Sequence, residues 1–192
     1  MKIVLASESP IRKRALDLLR LPYETCPSRI DEKAIRDDNP ARLTEKLAEA
    51  KARKVAEQHP NAIIVAGDAV VAKVGKIGVK IYEKPRDEPE ARQFLGELSG
   101  SELQFVTSLA VLNAASGRML STVEISNITF RSLTDDEIRA YMRKYDVLKY
   151  AGAFESDAVL YFSERFSGSY NVVAALPVNK LILFLREQGV EI

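Results

Sequence analysis

Three stretches of this chain hold residue types that could do chemistry. In the first, the apolar run Ile3-Val4-Leu5-Ala6 breaks into Ser7-Glu8-Ser9-Pro10 and then Ile11-Arg12-Lys13-Arg14. A strand ending at Ala6, with Ser9 capping a helix that starts at Pro10, would aim orphan backbone N–H groups at one corner. The serine hydroxyls and Arg12, Lys13 and Arg14 converge on that corner, where helix dipole and basic side chains together would hold an anion. The same spacing also suits a plain strand–turn–helix with a solvated basic face. The second stretch is Asp31-Glu32, adjacent acids in a loop after a short predicted strand. Such a pair can ligate a hard cation through oxygen or simply face water. The third runs from Ala62 to Ala72, a buried strand by composition with Asp68 between Gly67 and Ala69. A carboxylate among so many apolar residues is costly unless it meets a cation, a donor network or a reactive water. Small neighbours let a ligand or backbone come close.

The elements that must position these residues alternate between strand and helix. After the first strand, apolar residues recur with helical period from Arg12 to Leu21, and Leu21-Pro22 ends that helix. Tyr23 to Pro27 alternates as a strand. Asn39-Pro40 opens a helix to about His59, with Leu43, Leu47, Ala50, Val55 and Ala56 as its apolar stripe. Lys51 lies at the edge of that stripe, placed either to snorkel into a cleft or to face water. His59, the single histidine, reads as a partner for the helix C-terminus. Val74 to Gly78 reads as a hairpin turn returning through Val79 to Tyr82. Asp87 to Gly96 is amphipathic, Leu103 to Leu112 an apolar strand, and Met119 to Leu133 an alternating one. Thr134-Asp135-Asp136-Glu137 is a capping-box signature. Tyr150 to Asp157 forms a small-residue loop, Ala158 to Phe162 a strand, Gly168-Ser169 a turn, and Val172 to Ala175 a short strand. Pro177 starts a last helix ending near Gly189.

Composition narrows the function class. With 192 residues, 46% hydrophobic and 29% charged, the chain is long enough for a proper core. A net charge of +1 argues against a protein that coats nucleic acid, so any basic site must be local. The single Cys26 allows no disulfide within the chain and fits a reducing compartment. No signal-peptide pattern and no run near the ~20 apolar residues of a membrane helix is present. These features predict a cytoplasmic protein that does not engage a membrane. Without repeats, low-complexity runs or linkers, residues 1–192 are expected to fold as a single domain.

Taken in order, Leu5-Ala6-Ser7-Glu8-Ser9-Pro10, Leu47-Ala48-Glu49-Ala50-Lys51-Ala52, Gly67-Asp68, Glu83-Lys84-Pro85, Leu98-Ser99-Gly100, Tyr150-Ala151-Gly152-Ala153-Phe154 and Leu176-Pro177 resemble the Maf family of nucleotide pyrophosphatases. The resemblance implies a mixed α/β fold, an elongated sheet flanked by helices, with two lobes around a central cleft. It implies hydrolysis of a nucleoside triphosphate between the α and β phosphates, a divalent metal cation (magnesium or manganese), and commonly a homodimer. Ser7, Ser9 and Arg12 match the family's phosphate-loop positions, and Lys51 and Lys84 match lysines expected on the triphosphate. Asp68 matches the proton acceptor, and Glu32 with Asp68 supplies the metal's protein oxygens. Within the family the chain is nearest the 7-methyl-GTP pyrophosphatase branch. Ile11, Ala69 and Asp157 stand at its specificity positions, with Ile11 in place of an aromatic and Asp157 in place of another acid. Ala69 departs from the expected polar residue, Glu155 from a lysine and Ala175 from a glycine, and the segment from Asp68 to Lys84 is a few residues longer than the family norm. Those departures bear on base selectivity more than on hydrolysis. A protein of another class, a catalytically weak nucleotide-binding regulator of cell division, is the alternative. A dTTP/UTP pyrophosphatase is the alternative within the family.

Overall fold

The computed structural model describes residues 1–75, 78–155, 159–169 and 175–192. Its strands are β1 (Ile3–Leu5), β2 (Glu24–Thr25), β3 (Ile63–Gly75), β4 (Gly78–Tyr82), β5 (Glu102–Asn113), β6 (Met119–Phe130) and β7 (Ser163–Ser167). Its helices are α1 (Pro10–Asp17), α2 (Pro40–Ala56), α3 (Glu88–Leu98), α4 (Asp135–Met142), α5 (Val159–Phe162) and α6 (Val178–Glu187). The strands form one mixed seven-stranded sheet in the order β2-β1-β3-β5-β6-β7, with β4 paired to β3. β1 runs parallel to β2 and β3, while β3 with β4 and β6 with β7 are antiparallel. This is the mixed α/β sheet flanked by helices that the resemblance implies.

Two compact units divide the chain. One comprises Met1–Ala69, Thr107–Glu124 and Asn171–Ile192, the other Val70–Val106 and Ile125–Tyr170. The boundaries fall inside the long strands β3, β5 and β6.

In the first unit, strand alternation sorts the core into two layers. Ile3, Leu5, Ile63, Val65, Leu109 and Val111 point to one face, against Ala15 and Leu16 of α1 and Leu181 and Leu185 of α6. Val4, Ala6, Ile64, Ala66, Ala110 and Leu112 point to the other, against Ala48, Ala52 and Val55 of α2. Burying one such aliphatic side chain is worth about 1.5–3 kcal/mol. The α2 face is rich in alanine, so the helix can lie close to the sheet. Asp68 follows Ala66 by two residues, and the period of two turns it towards α2. Gly67 faces the opposite layer.

The second unit packs aromatics. Phe130 meets Phe154 and Phe162 at centroid distances of 5.2 and 5.5 Å, and Tyr141 meets Phe162 at 4.7 Å. The capping box forms as the sequence predicts, with Thr134 Oγ1 accepting from Glu137 N and Glu137 Oε2 from Thr134 N.

Several boundaries differ from expectation. α1 stops at Asp17 instead of reaching Leu21, because the leucines after it do not share one face. Leu18 is 71% exposed, while Leu19 and Leu21 pack on the core from an irregular turn in which Arg20 has φ 53°. The strand expected at Tyr23 to Pro27 shrinks to β2. The strand expected over Ala158 to Phe162 is the one-turn α5 from Val159, whose buried residues are Val159 and Phe162, three apart as on a helix; β7 follows it. The hairpin tip at Lys76-Ile77, Asp157, Ala158 and the start of the Val172 to Ala175 strand lie outside the described residues; Ala175 itself lies in a turn.

Candidate active site

The first unit brings four charged residues together from four separate segments. Asp68 comes from β3, Lys51 from the fourth turn of α2, Arg12 from α1, and Glu32 from the 3-10 turn Glu32–Ala34. Lys51 Nζ donates to Asp68 Oδ1 at 2.6 Å and lies 3.1 Å from Glu32 Oε1. Lys51 and Asp68 are both buried, at 6% and 7% exposure, so Lys51 faces inward and its ammonium is paired. The Glu32 side chain is mostly exposed. Its neighbour Asp31 is occupied differently, accepting from Lys33 N at 3.0 Å as the cap of the 3-10 turn. Of the two adjacent acids, only Glu32 therefore reaches Lys51.

Burial raises the Asp68 pKa above the usual carboxylate value, and Lys51 and Arg12 oppose the shift by attracting the charged form. Burial lowers that of Arg12, against the pull of Asp68 and Glu32, and the delocalised guanidinium keeps its charge. Arg12 Nε donates to Ala175 O at 3.2 Å. Ala175 holds that carbonyl in place with φ 46°, a left-handed conformation costly to a residue with a Cβ.

The serine corner forms in part. Ser9 occupies the N-cap position of α1 without a side-chain cap bond; instead Ser7 Oγ accepts from Ser9 N at 3.1 Å. Ser7 is buried and Ser9 half-buried, and Arg12 Nη1 stands 3.5 Å from Ser7 Oγ, a weak contact at that length. Ile11 is buried on α1 and Ala69 is half-buried beside Asp68. The close approach permitted by Gly67 is made by the protein itself: a Cβ there would stand 2.7 Å from Leu176 Cδ1 and 2.8 Å from Ser108 O.

One contributor is visible only in three dimensions. Ser108 Oγ, fully buried on β5, donates to Thr44 O of α2 at 2.7 Å and accepts from Asp68 N at 3.2 Å. This hydroxyl ties the strand bearing the acid to the helix bearing the lysine. Its one sequence signal is a pair of hydroxyl residues, Thr107-Ser108, inside an apolar run.

Lys84 belongs to the second unit and is exposed just after β4. There Gly152 N donates to Glu83 O at 3.1 Å, so the Tyr150 to Phe154 loop lies against the Glu83-Lys84-Pro85 segment. Gly152 has φ 68°, and a Cβ on it would come within 2.9 Å of Val71 Cγ2. The residue type is dictated by both the turn and the packing.

Among the described residues no group of three or more His, Cys, Asp and Glu could hold a metal ion, so no all-protein cage is present. A magnesium-class ion needs less: one or two carboxylates, with phosphate oxygens and water completing the shell. Glu32 and Asp68, both on the same ammonium nitrogen, fit that donor set.

A family model described as Maf-like protein matches residues 2–188. A dTTP/UTP pyrophosphatase of Deinococcus radiodurans is 36% identical over 190 residues, covering 98% of this chain and 94% of that protein. A 7-methyl-GTP pyrophosphatase of Hydrogenovibrio crunogenus is 34% identical over 193 residues, covering 100% and 94%. Among solved structures, a HAM1 protein from Coxiella burnetii superposes with a TM-score of 0.52 at 16% identity, over 97% of this chain and 99% of that one, a likeness of fold alone.

Proposed function

Because this chain belongs to the Maf-like protein family, we propose that its buried acid serves hydrolysis of a nucleoside triphosphate at the α–β phosphate bond, giving a nucleoside monophosphate and pyrophosphate. The protein is a nucleoside triphosphate pyrophosphatase, a hydrolase, as both relatives are named. The observation that carries the mechanism is the buried contact of Lys51 with Asp68, with Glu32 beside it.

Asp68 accepts the proton that the attacking water loses, the work of a general base, typically worth ~10²–10⁴ in rate. Burial suits it to that task, because a carboxylate with a raised pKa is a stronger base than a solvated one. Arg12 and Lys51 stabilise the charge that grows on the phosphoryl oxygens, and Ser7 and Ser9 orient the triphosphate. Lys84 is assigned to the triphosphate on the family resemblance alone. Glu32 and Asp68 would hold a divalent cation, magnesium or manganese, which when bound supplies further positive charge to the triphosphate oxygens.

The preferred base follows from a residue pattern. 7-Methylguanine is cationic and offers N–H donors at its Watson–Crick edge, which a carboxylate at Asp157 can both pair with and accept from. Ile11 adds apolar contact without the stacking of an aromatic, and Ala69 adds no polar reader. The reading is therefore 7-methyl-GTP over UTP and dTTP, with loose discrimination. The Deinococcus radiodurans relative favours a second reading, dTTP and UTP. Competing 7-methyl-GTP against UTP and dTTP, in the parent and in Asp157→Gln, decides between them. Pyrimidine preference in the parent, or an unchanged preference in the variant, rejects the first reading.

A further inference from the structure

One ammonium sits between the two carboxylates assigned to the divalent cation. Lys51 Nζ is 2.6 Å from Asp68 Oδ1 and 3.1 Å from Glu32 Oε1. We propose that Lys51 is the internal counter-ion of the nucleotide-free protein: it fills the cation site and keeps a divalent metal out until a triphosphate draws the ammonium away. This rests on the assignment of Glu32 and Asp68 as cation ligands made above.

Charge and burial support it together. Arg12 and Lys51 oppose Asp68 and Glu32, and all four interact, so the cluster is neutral as it stands. A neutral cluster offers a dication little net attraction. Entry of a metal alone would also strip Lys51 of its partners. The lysine is buried on the helix face that carries Ala48, Ala52 and Val55, where an unpaired ammonium is strongly disfavoured. A triphosphate removes that obstacle by offering new anionic oxygens. Lysine can follow them, since its charge sits on a flexible four-carbon stem with three donors. The exchange leaves both carboxylates free at the moment when phosphate oxygens can complete a metal's shell. Metal binding thus becomes dependent on nucleotide, and the Asp68 carboxylate is released for proton transfer only when substrate is present.

The test is Mn²⁺ binding to nucleotide-free protein, followed by paramagnetic resonance or calorimetry at a mildly alkaline pH. Lys51→Gln should bind Mn²⁺ at least about tenfold more tightly than the parent, because it removes a unit charge a few ångströms from the ion. Lys51→Arg, which keeps the charge, should stay near the parent, and Lys51→Gln combined with Asp68→Asn should lose the gain. Equal affinity in parent and Lys51→Gln, or a gain that survives Asp68→Asn, overturns the proposal. The unmodified protein supplies a second measurement should the variants not fold. Mn²⁺ alone should leave its melting temperature unchanged, while Mn²⁺ with a non-hydrolysable triphosphate analogue should raise it beyond the analogue alone. Stabilisation by Mn²⁺ without nucleotide, equal to that with it, overturns the proposal too. Pyrophosphate release by Asp68→Asn is a separate readout. Retained turnover there rejects the functional reading, whereas lost turnover without a Mn²⁺ gain in Lys51→Gln rejects only the counter-ion role.

Discussion

Gly67→Ala is expected to loosen the strand that carries Asp68. The added Cβ would meet Leu176 Cδ1 at 2.7 Å and Ser108 O at 2.8 Å, while Arg12 Nε at 3.6 Å is in ordinary contact. Leu176 is fully buried and cannot swing into solvent, and the carbonyl belongs to β5, the sheet neighbour of β3. Something must shift by about 0.6–0.7 Å to restore ordinary contact, and overpacking of this kind costs roughly 1–3 kcal/mol. Against it stands the unfolded-state gain of replacing glycine, roughly 0.4–1 kcal/mol. The packing term wins, leaving a net loss of about 1–2 kcal/mol. For a chain of 192 residues that corresponds to a fall in melting temperature of roughly 3–6 °C. Urea denaturation of parent and variant measures it as a lower midpoint at unchanged slope. Pyrophosphate release should fall as well, since the displaced backbone is one residue from Asp68. A variant as stable as the parent, or more so, would refute the packing argument, because only the glycine entropy would then be at work.

Asp68→Asn should remain folded, since Lys51 keeps Glu32 at 3.1 Å, and should lose turnover by about 10²–10⁴-fold. In the parent, turnover should fall with decreasing pH through a limb above the usual carboxylate range, the direction in which burial moves Asp68, and stopped assays across pH locate it. Ser108→Ala removes the 2.7 Å bond to Thr44 O and the acceptor for Asp68 N, so denaturant titration should show a loss of roughly 1–3 kcal/mol and kcat should fall more than KM rises. Arg131 and the Thr134 backbone hold Glu137 down at about 2, from an unfolded value of 4.5. Its lowered folded pKa means stability that is fully present above about 4.5 and is lost as pH falls towards about 2. Glu137→Gln keeps the capping geometry but cannot titrate there, and its melting temperature should fall less steeply over that window than the parent's.

Much of the fold could be read from local rules. Asn39 caps α2 through bonds to Ala41 N and Arg42 N, and Thr134 closes a capping box with Glu137, because these bonds join residues two or three apart. The burial of Asp68 was likewise legible, since a strand so apolar on both sides must be covered on both faces. Local rules failed where periodicity had too few residues to act. Four apolar residues from Val159 suit a strand or one helical turn alike, and the leucines after Asp17 keep helical spacing without a shared surface. The site's wiring was beyond them altogether. Which of Asp31 and Glu32 reaches Lys51, and whether Lys51 faces solvent or core, depended on α2 lying across an alanine-lined sheet face to which Asp68 also points. Ser108 acquires its role only because β5 brings its hydroxyl between Thr44 and Asp68, 64 and 40 positions away along the chain. Residue types determined by themselves that an acid, two cations and a hydroxyl corner exist here. Tertiary packing alone decided which of them share a low-dielectric space, because charges are coupled by distance and burial, and neither is encoded in sequence spacing.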